Sequence, residues 1–268
     1  MRIETNHELV KRNKRNANYL FFFSMAVIGI ALFANTTVIN TQDTNTLNLI
    51  SIFLWIALPI SLVSTFTSIN LTNQWVRPPR PETAIPDGLK GLSKKSVLYN
   101  YYHMPVRHVL IAPQGIFAIV TRFQEGNFTV DNDKWKGQGG PLSFLTTFMR
   151  RDAIGNPSEE AQKAAAHIAK LLEKDFPGIP VHPLIVFVHP RSTVTVIGEN
   201  SIPILYTDAD KTPNLRDFLR DRLQQVEAEE AARIASGKSS KNKSATVSES
   251  LLIDPTAVAD ALEENTLL

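Results

Sequence analysis

The chain contains no cysteine among its 268 residues. That excludes disulfides, thiolate zinc sites, iron–sulfur clusters and a cysteine nucleophile. Glycine is sparse, at 12 residues against 16 prolines, and neither recurs with a period, so collagen-like and low-complexity chains are excluded. No Gly-x-x-x-x-Gly-Lys cradle, no Gly-x-Gly-x-x-Gly turn and no Gly-x-Ser-x-Gly elbow occurs. Charge is also locally missing. No Asp, Glu, Lys or Arg lies between Arg15 and Asp43, and none between Asp43 and Arg77.

Those two gaps hold long apolar runs. Tyr19 to about Ile39 and Leu47 to about Leu71 each supply the roughly 20 residues that a bilayer span needs. Pro59 falls inside the second, where it predicts a kink. Lys11, Arg12, Lys14 and Arg15 precede the first run. Arg77, Arg80, Lys90, Lys94 and Lys95 follow the second, and the loop from Ala34 to Thr46 carries one Asp and no base. By the positive-inside rule this predicts a two-helix hairpin in the cell membrane with both termini cytoplasmic and the Asn/Thr-rich loop outside. Tyr19 and Trp75 fall near the expected interfaces. A cleaved signal peptide fits poorly, since Leu32 stands at −3 if Ala34 is −1. A buried soluble hairpin leaves the basic flanks unexplained.

The remaining charge is unevenly spread. Residues 72–150 hold ten Lys/Arg against five Asp/Glu, and residues 151–268 hold 13 against 18. The expected organisation is a basic cytoplasmic N-terminus at 1–18, the hairpin at 19–71, a Pro-rich connector at 72–84, a cytoplasmic domain at 85–235 and a flexible tail at 236–268. A helix is expected from Asp87 to about Tyr101, then strands at Val106–Ala112 and Ile116–Arg122 joined by a turn at Pro113-Gln-Gly115. A third strand is expected at Asn127–Val130. Asp131 to Asn156 reads as a loop-rich insertion with a short helix at Ser143–Met149. Asn156-Pro157 opens a helix that runs to about Asp175. The apolar run at Val181–Val188 reads as a central strand. Short strands at Val194–Ile197 and Ile202–Tyr206 and a helix from Thr212 to about Ile234 follow. Asp254–Glu264 reads as a short amphipathic helix able to dock on a protein partner.

The helix-strand-strand-strand-helix-strand order is that of a restriction-endonuclease-like α/β core. The wording Val106-Arg-His-Val-Leu-Ile-Ala-Pro-Gln-Gly-Ile-Phe-Ala-Ile-Val-Thr-Arg122 resembles the centre of the nuclease-related domain (NERD) family, as do Trp135 and Asn156-Pro157, over about residues 85–225. Membrane-anchored members of that family are familiar. The resemblance implies a first-strand Asp and a second-strand Glu that hold a divalent metal, followed by a Lys. Here those positions carry Arg107, Val120 and Arg122, while His108 keeps the family residue. A cation and an isopropyl group cannot replace hard-oxygen ligands for Mg²⁺. The expectation is therefore a catalytically degenerate domain, with no cofactor, that binds nucleic acid or a protein partner.

Two alternatives stay open. In one, displaced carboxylates at Glu125, Asp131 or Asp133 hold Mg²⁺ and the domain is an active nuclease. In the other, the chain is a membrane scaffold or assembly protein with no nucleic-acid role. For DNA or RNA the candidate contacts are Arg122 and Lys134-Trp135-Lys136, where an aromatic plane beside two cations could stack a base and meet phosphates. Lys94-Lys95 and Arg150-Arg151 add basic charge that equally suits the anionic headgroups of the lipid bilayer. His182 and His189, seven residues apart on one strand, would face opposite sides and make no metal pair.

Overall fold

The computed structural model describes residues 1–40, 43–137, 153–235 and 252–267. The helix expected at Ser143–Met149 and the loop at Gly139-Gly140 lie outside them. The chain divides into two compact units.

One unit is built on two long helices, α1 (His7–Asn40) and α2 (Thr44–Trp75). At 1.5 Å per residue they are about 51 and 48 Å long. Asp43 caps α2 by accepting hydrogen bonds from the backbone N–H groups of Asn45 and Thr46. The two helices meet along small side chains. Ala17, Ser24 and Ala31 are buried on α1, and Ala57, Ser61, Ser64 and Ser68 on α2. Ser68 Oγ donates to the Ala17 carbonyl at 2.9 Å and Ser64 Oγ to the Leu20 carbonyl at 3.1 Å. Large apolar side chains point the other way, with Phe33 74% and Trp55 83% exposed. This is the reverse of a water-soluble hairpin, which buries its large apolar groups. Small residues at the contact and apolar bulk outside are what helix association in lipid requires. Both helices are long and apolar enough to cross a membrane. Tyr19 is exposed, but Trp75 is buried at 5% and does not present the open interfacial ring expected of it.

The second unit is a mixed α/β domain. Its elements are β1 (Arg2–Thr5), α3 (Pro81–Gly88), β2 (Val97–Asn100), β3 (His108–Ala112), β4 (Gly115–Arg122), β5 (Gly126–Asp131), β6 (Lys134–Gly137), α4 (Pro157–Leu172), β7 (Val181–Phe187), β8 (Ser192–Ile197), β9 (Ile204–Tyr206), α5 (Leu215–Ala235) and α6 (Pro255–Leu267). Six strands form one sheet in the order β1-β2-β3-β4-β7-β9. The β2–β3–β4 meander is antiparallel, and β1, β7 and β9 join parallel to their neighbours. The β3–β4 turn places Gly115 at φ +150, where an added Cβ would meet His182 at 3.1 Å.

Alternation divides the sheet's side chains between two cores. Val97, Tyr99, Val109, Ile111, Ile116, Ala118, Val120, Ile185 and Phe187 face one core, which α4 and α6 complete. Leu98, Leu110, Phe117, Ile119, Leu184 and Val186 face the other, covered by Ile85 and Leu89 and by Leu215 and Leu219 of α5. With both faces covered, β4 and β7 read as continuous apolar runs.

The α-β-β-β-α-β order is present, but its members differ from those expected. The helix expected from Asp87 to Tyr101 is instead α3, which ends at Gly88, followed by β2. Val97, Leu98 and Tyr99 alternate between the two cores, so a strand buries all three and a helix would not. The strand at 127–130 is β5, which belongs to a separate three-stranded sheet in the order β6-β5-β8. Strand β6 lies where a loop was expected, and β1 lies where only a basic N-terminus was read. Helix α6 is not part of a free tail. Its Val258, Ala259 and Leu262 are fully buried in the domain's own core, so that apolar side is already occupied.

Candidate functional site

Strand alternation brings the three family positions to one face of the main sheet. Val120 and Arg122 stand two residues apart on β4, and Arg107 has the parity of Val109 and Ile111 just before β3. Val120 is buried among the apolar side chains of the first core. Arg122 is buried too, and its guanidinium is fully engaged. Nε donates to the Ile154 carbonyl at 3.1 Å, Nη1 to the Thr121 carbonyl at 3.0 Å, and Nη2 to Glu160 Oε2 at 2.6 Å. Glu160 comes from the first turn of α4. Asn156 caps that helix by accepting from Glu159 N–H, and Pro157 takes its first position. Glu160 was missed as a site residue. Its only signal was the acidic first turn that any helix N-terminus favours.

These residues do not fit the metal of a nuclease. A buried valine offers no lone pair, and a buried arginine already carries the positive charge that a metal would bring. Glu160, the one carboxylate found there among the described residues, pairs with the guanidinium. Arg122 is likewise not a free cation for a phosphate.

His108 faces the other side of the sheet. Its ring nitrogen Nδ1 lies 2.8 Å from Asn100 Oδ1, and Asn100 Nδ2 donates to Thr5 Oγ1 at 3.0 Å. The second bond fixes the Asn100 amide, so His108 Nδ1 carries the proton and Nε2 is left as a buried lone pair with no hydrogen-bond partner. Burial, aided by the charge of Arg107, lowers the His108 pKa to about 3. Tyr101, at φ +67, places its ring 5.0 Å from that of His108, and its hydroxyl donates to Glu82 Oε2 at 3.1 Å. Burial and then Glu82 push the Tyr101 phenol up.

The other candidates are scattered. Glu125 pairs with Arg191 at 3.2 Å and lies 3.9 Å from His189 Nε2. Asp131 and Asp133 belong to the β5–β6 turn, where Asn132 and Asp133 take φ +47 and +62. Asp131 Oδ1 accepts from Asn132, and Asp133 Oδ1 from the Ser201 N–H. Among the described residues no three His, Cys, Asp or Glu side chains gather as a metal site. His182 stacks near Phe117, away from the His189 loop contacts.

Lys134 and Lys136 are exposed on β6, but Trp135 points to the opposite side. Its ring stacks on Phe187 at 6.0 Å and its N–H donates to Ser158 Oγ at 2.8 Å. Indole and lysines are thus not on one surface. On the lysine side, Lys136 is in register with Thr129 and Thr195, and Lys134 with Asp131. Lys94 and Lys95 are exposed ahead of β2; Arg150 and Arg151 lie outside the described residues.

The fold is thus a mixed α/β domain whose central meander carries buried Val120 and the Arg122–Glu160 pair. Residues 82–188 match the model of the NERD family, the nuclease-related domain. The match is shorter than the 85–225 expected from the wording and ends with β7. No curated protein and no solved structure matches the chain.

Proposed function

We propose that this protein is a membrane-anchored nuclease-related domain of restriction-endonuclease-like type that binds without hydrolysing. The observation that carries this reading is the Arg122–Glu160 pair beside buried Val120, where nucleases of this fold place two carboxylates and a lysine. A polyanion is the ligand that the exposed side of the small sheet suits best, through Lys136 with neutral Thr129 and Thr195 beside it and through Lys134, which stands opposite Asp131. The anchor is the α1–α2 hairpin, with both ends cytoplasmic.

The test uses the full chain in nanodiscs, titrated with labelled single- and double-stranded DNA and RNA, with and without Mg²⁺ or Mn²⁺, at two salt concentrations. The expected result is no cleavage and salt-sensitive binding that weakens in Lys134→Ala/Lys136→Ala, because each phosphate contact releases counterions. Metal-dependent cleavage lost in Glu125→Ala or Asp131→Ala would overturn the non-hydrolytic reading. Absence of binding would leave the domain as a protein-interaction scaffold.

A further inference from the structure

We propose that α6 is a strap that holds β1 in the main sheet, so that the two ends of the chain form one releasable clasp. Strand β1 has four residues and a single partner strand, β2. None of its side chains is fully buried, and Ile3 is 45% exposed. So short an edge strand with so little apolar burial is marginal by itself. Two polar keys hold it. At one end Thr5 accepts from Asn100, which is fixed in turn by His108. At the other end Arg2 donates to Tyr99 Oη at 3.0 Å and to Glu263 Oε1 at 3.1 Å, while the Tyr99 hydroxyl donates to Glu263 and closes the triangle. Two of the three bonds of the second key, those to Glu263, therefore exist only while α6 is docked.

The docking of α6 rests on a short segment. Val258, Ala259 and Leu262 are fully buried, Pro255 is buried, and Ile253 and Ala261 pack against the same core. Asn265 donates to Asp175, and the Ile253 N–H to the Pro113 carbonyl. Thr266 Oγ1 gives its one proton to the Leu262 carbonyl, so it accepts from His103 Nδ1–H at 2.8 Å. A footing this small suits reversible docking. Only Asn6 separates β1 from α1, so the strap acts on the segment from which the first long helix starts. Coupling of this kind is reciprocal: docking of α6 favours pairing of β1 by the same factor as pairing of β1 favours docking of α6.

Hydrogen–deuterium exchange on the full chain in nanodiscs tests this. Leu262→Ala should raise exchange of α6 at least tenfold and raise exchange at Glu4 and Asn6 by a similar factor, with β4 and β7 unchanged. Arg2→Ala should raise exchange at Val258–Thr266. If α6 loosens while Glu4 and Asn6 stay protected, the strap is wrong. If Leu262→Ala costs β4 its protection, Glu263→Ala takes its place, since it cuts the key and spares the apolar footing. Glu263→Gln, which keeps an acceptor for Tyr99, should restore part of the protection at β1. Unchanged exchange at β1 in Glu263→Ala would also overturn the proposal.

Discussion

At the level of single residues, the departures at positions 107, 120 and 122 are legible in the sequence, but their consequence is not. The sequence shows Arg107 and Val120 where the family resemblance implies carboxylates. It does not show that Arg122 is buried and neutralised by Glu160, because that pairing spans 38 positions and depends on how α4 lies on the sheet. Glu160→Ala should therefore destabilise the domain by about 1–3 kcal/mol, the range for losing a hydrogen bond to a charged group. Glu160→Gln should cost less, and chemical denaturation would measure both. The buried histidines make a second prediction. Burial lowers the folded His108 pKa to about 3 and that of His103 to about 4, both below the ordinary histidine value of about 6.5. Below pH 6.5 the unfolded chain therefore binds more protons than the folded one. Stability should fall as pH drops through this window, by up to about 1.4 kcal/mol per pH unit for each histidine. His108→Asn keeps a donor near Asn100, and should show a shallower slope between pH 6 and 4 despite a lower stability at pH 7. An unchanged slope would contradict the buried neutral state.

At the level of elements, legibility follows how much of the signal is local. The β3–β4 hairpin, β7 and the capped start of α4 were readable, because apolar runs, Gly115 and Asn156-Pro157 state their own structure. Strand β2 was not. Leu89, Leu92, Val97, Leu98 and Tyr101 fit a loose helical period, and only pairing with β1 and β3 selects the strand. Strand β1 is four residues with one apolar side chain in an otherwise polar stretch, and it has no local signature at all. Asp131-Asn-Asp133 has the composition of a turn, yet the β6 strand that follows it has no such local signal. Both central turn residues have positive φ, the geometry of a tight hairpin with primed-turn handedness. Asn132→Val should cost about 1–2 kcal/mol, since a β-branched residue is poorly tolerated there. Asn132→Gly should be close to neutral. Thermal unfolding of the two variants would distinguish this from a loop without conformational demand, in which both would be silent.

At the level of the whole chain, the sheet constrains the membrane topology independently of charge. Strand β1 precedes α1 and β2 follows α2, yet the two pair in one sheet. Residues 2–5 and 97–100 must therefore lie in the same compartment, so the segment between them crosses a bilayer an even number of times. The positive-inside rule then chooses the side, with Lys11, Arg12, Lys14 and Arg15 before the hairpin and Arg77 and Arg80 after it. Neither argument uses the other's evidence: the sheet keeps both ends on one side, and the basic flanks predict that this side is the cytoplasm. The chain's lack of cysteine makes the check direct, since every engineered thiol is the only one present. Thr44→Cys, at the start of α2, should react with a membrane-impermeant maleimide added outside intact cells. Lys90→Cys and Lys136→Cys should react only after permeabilisation. Labelling of both Thr44→Cys and Lys90→Cys only after permeabilisation would remove the hairpin from the membrane, whereas outside labelling of Lys90→Cys would reverse the orientation and contradict a cytoplasmic domain.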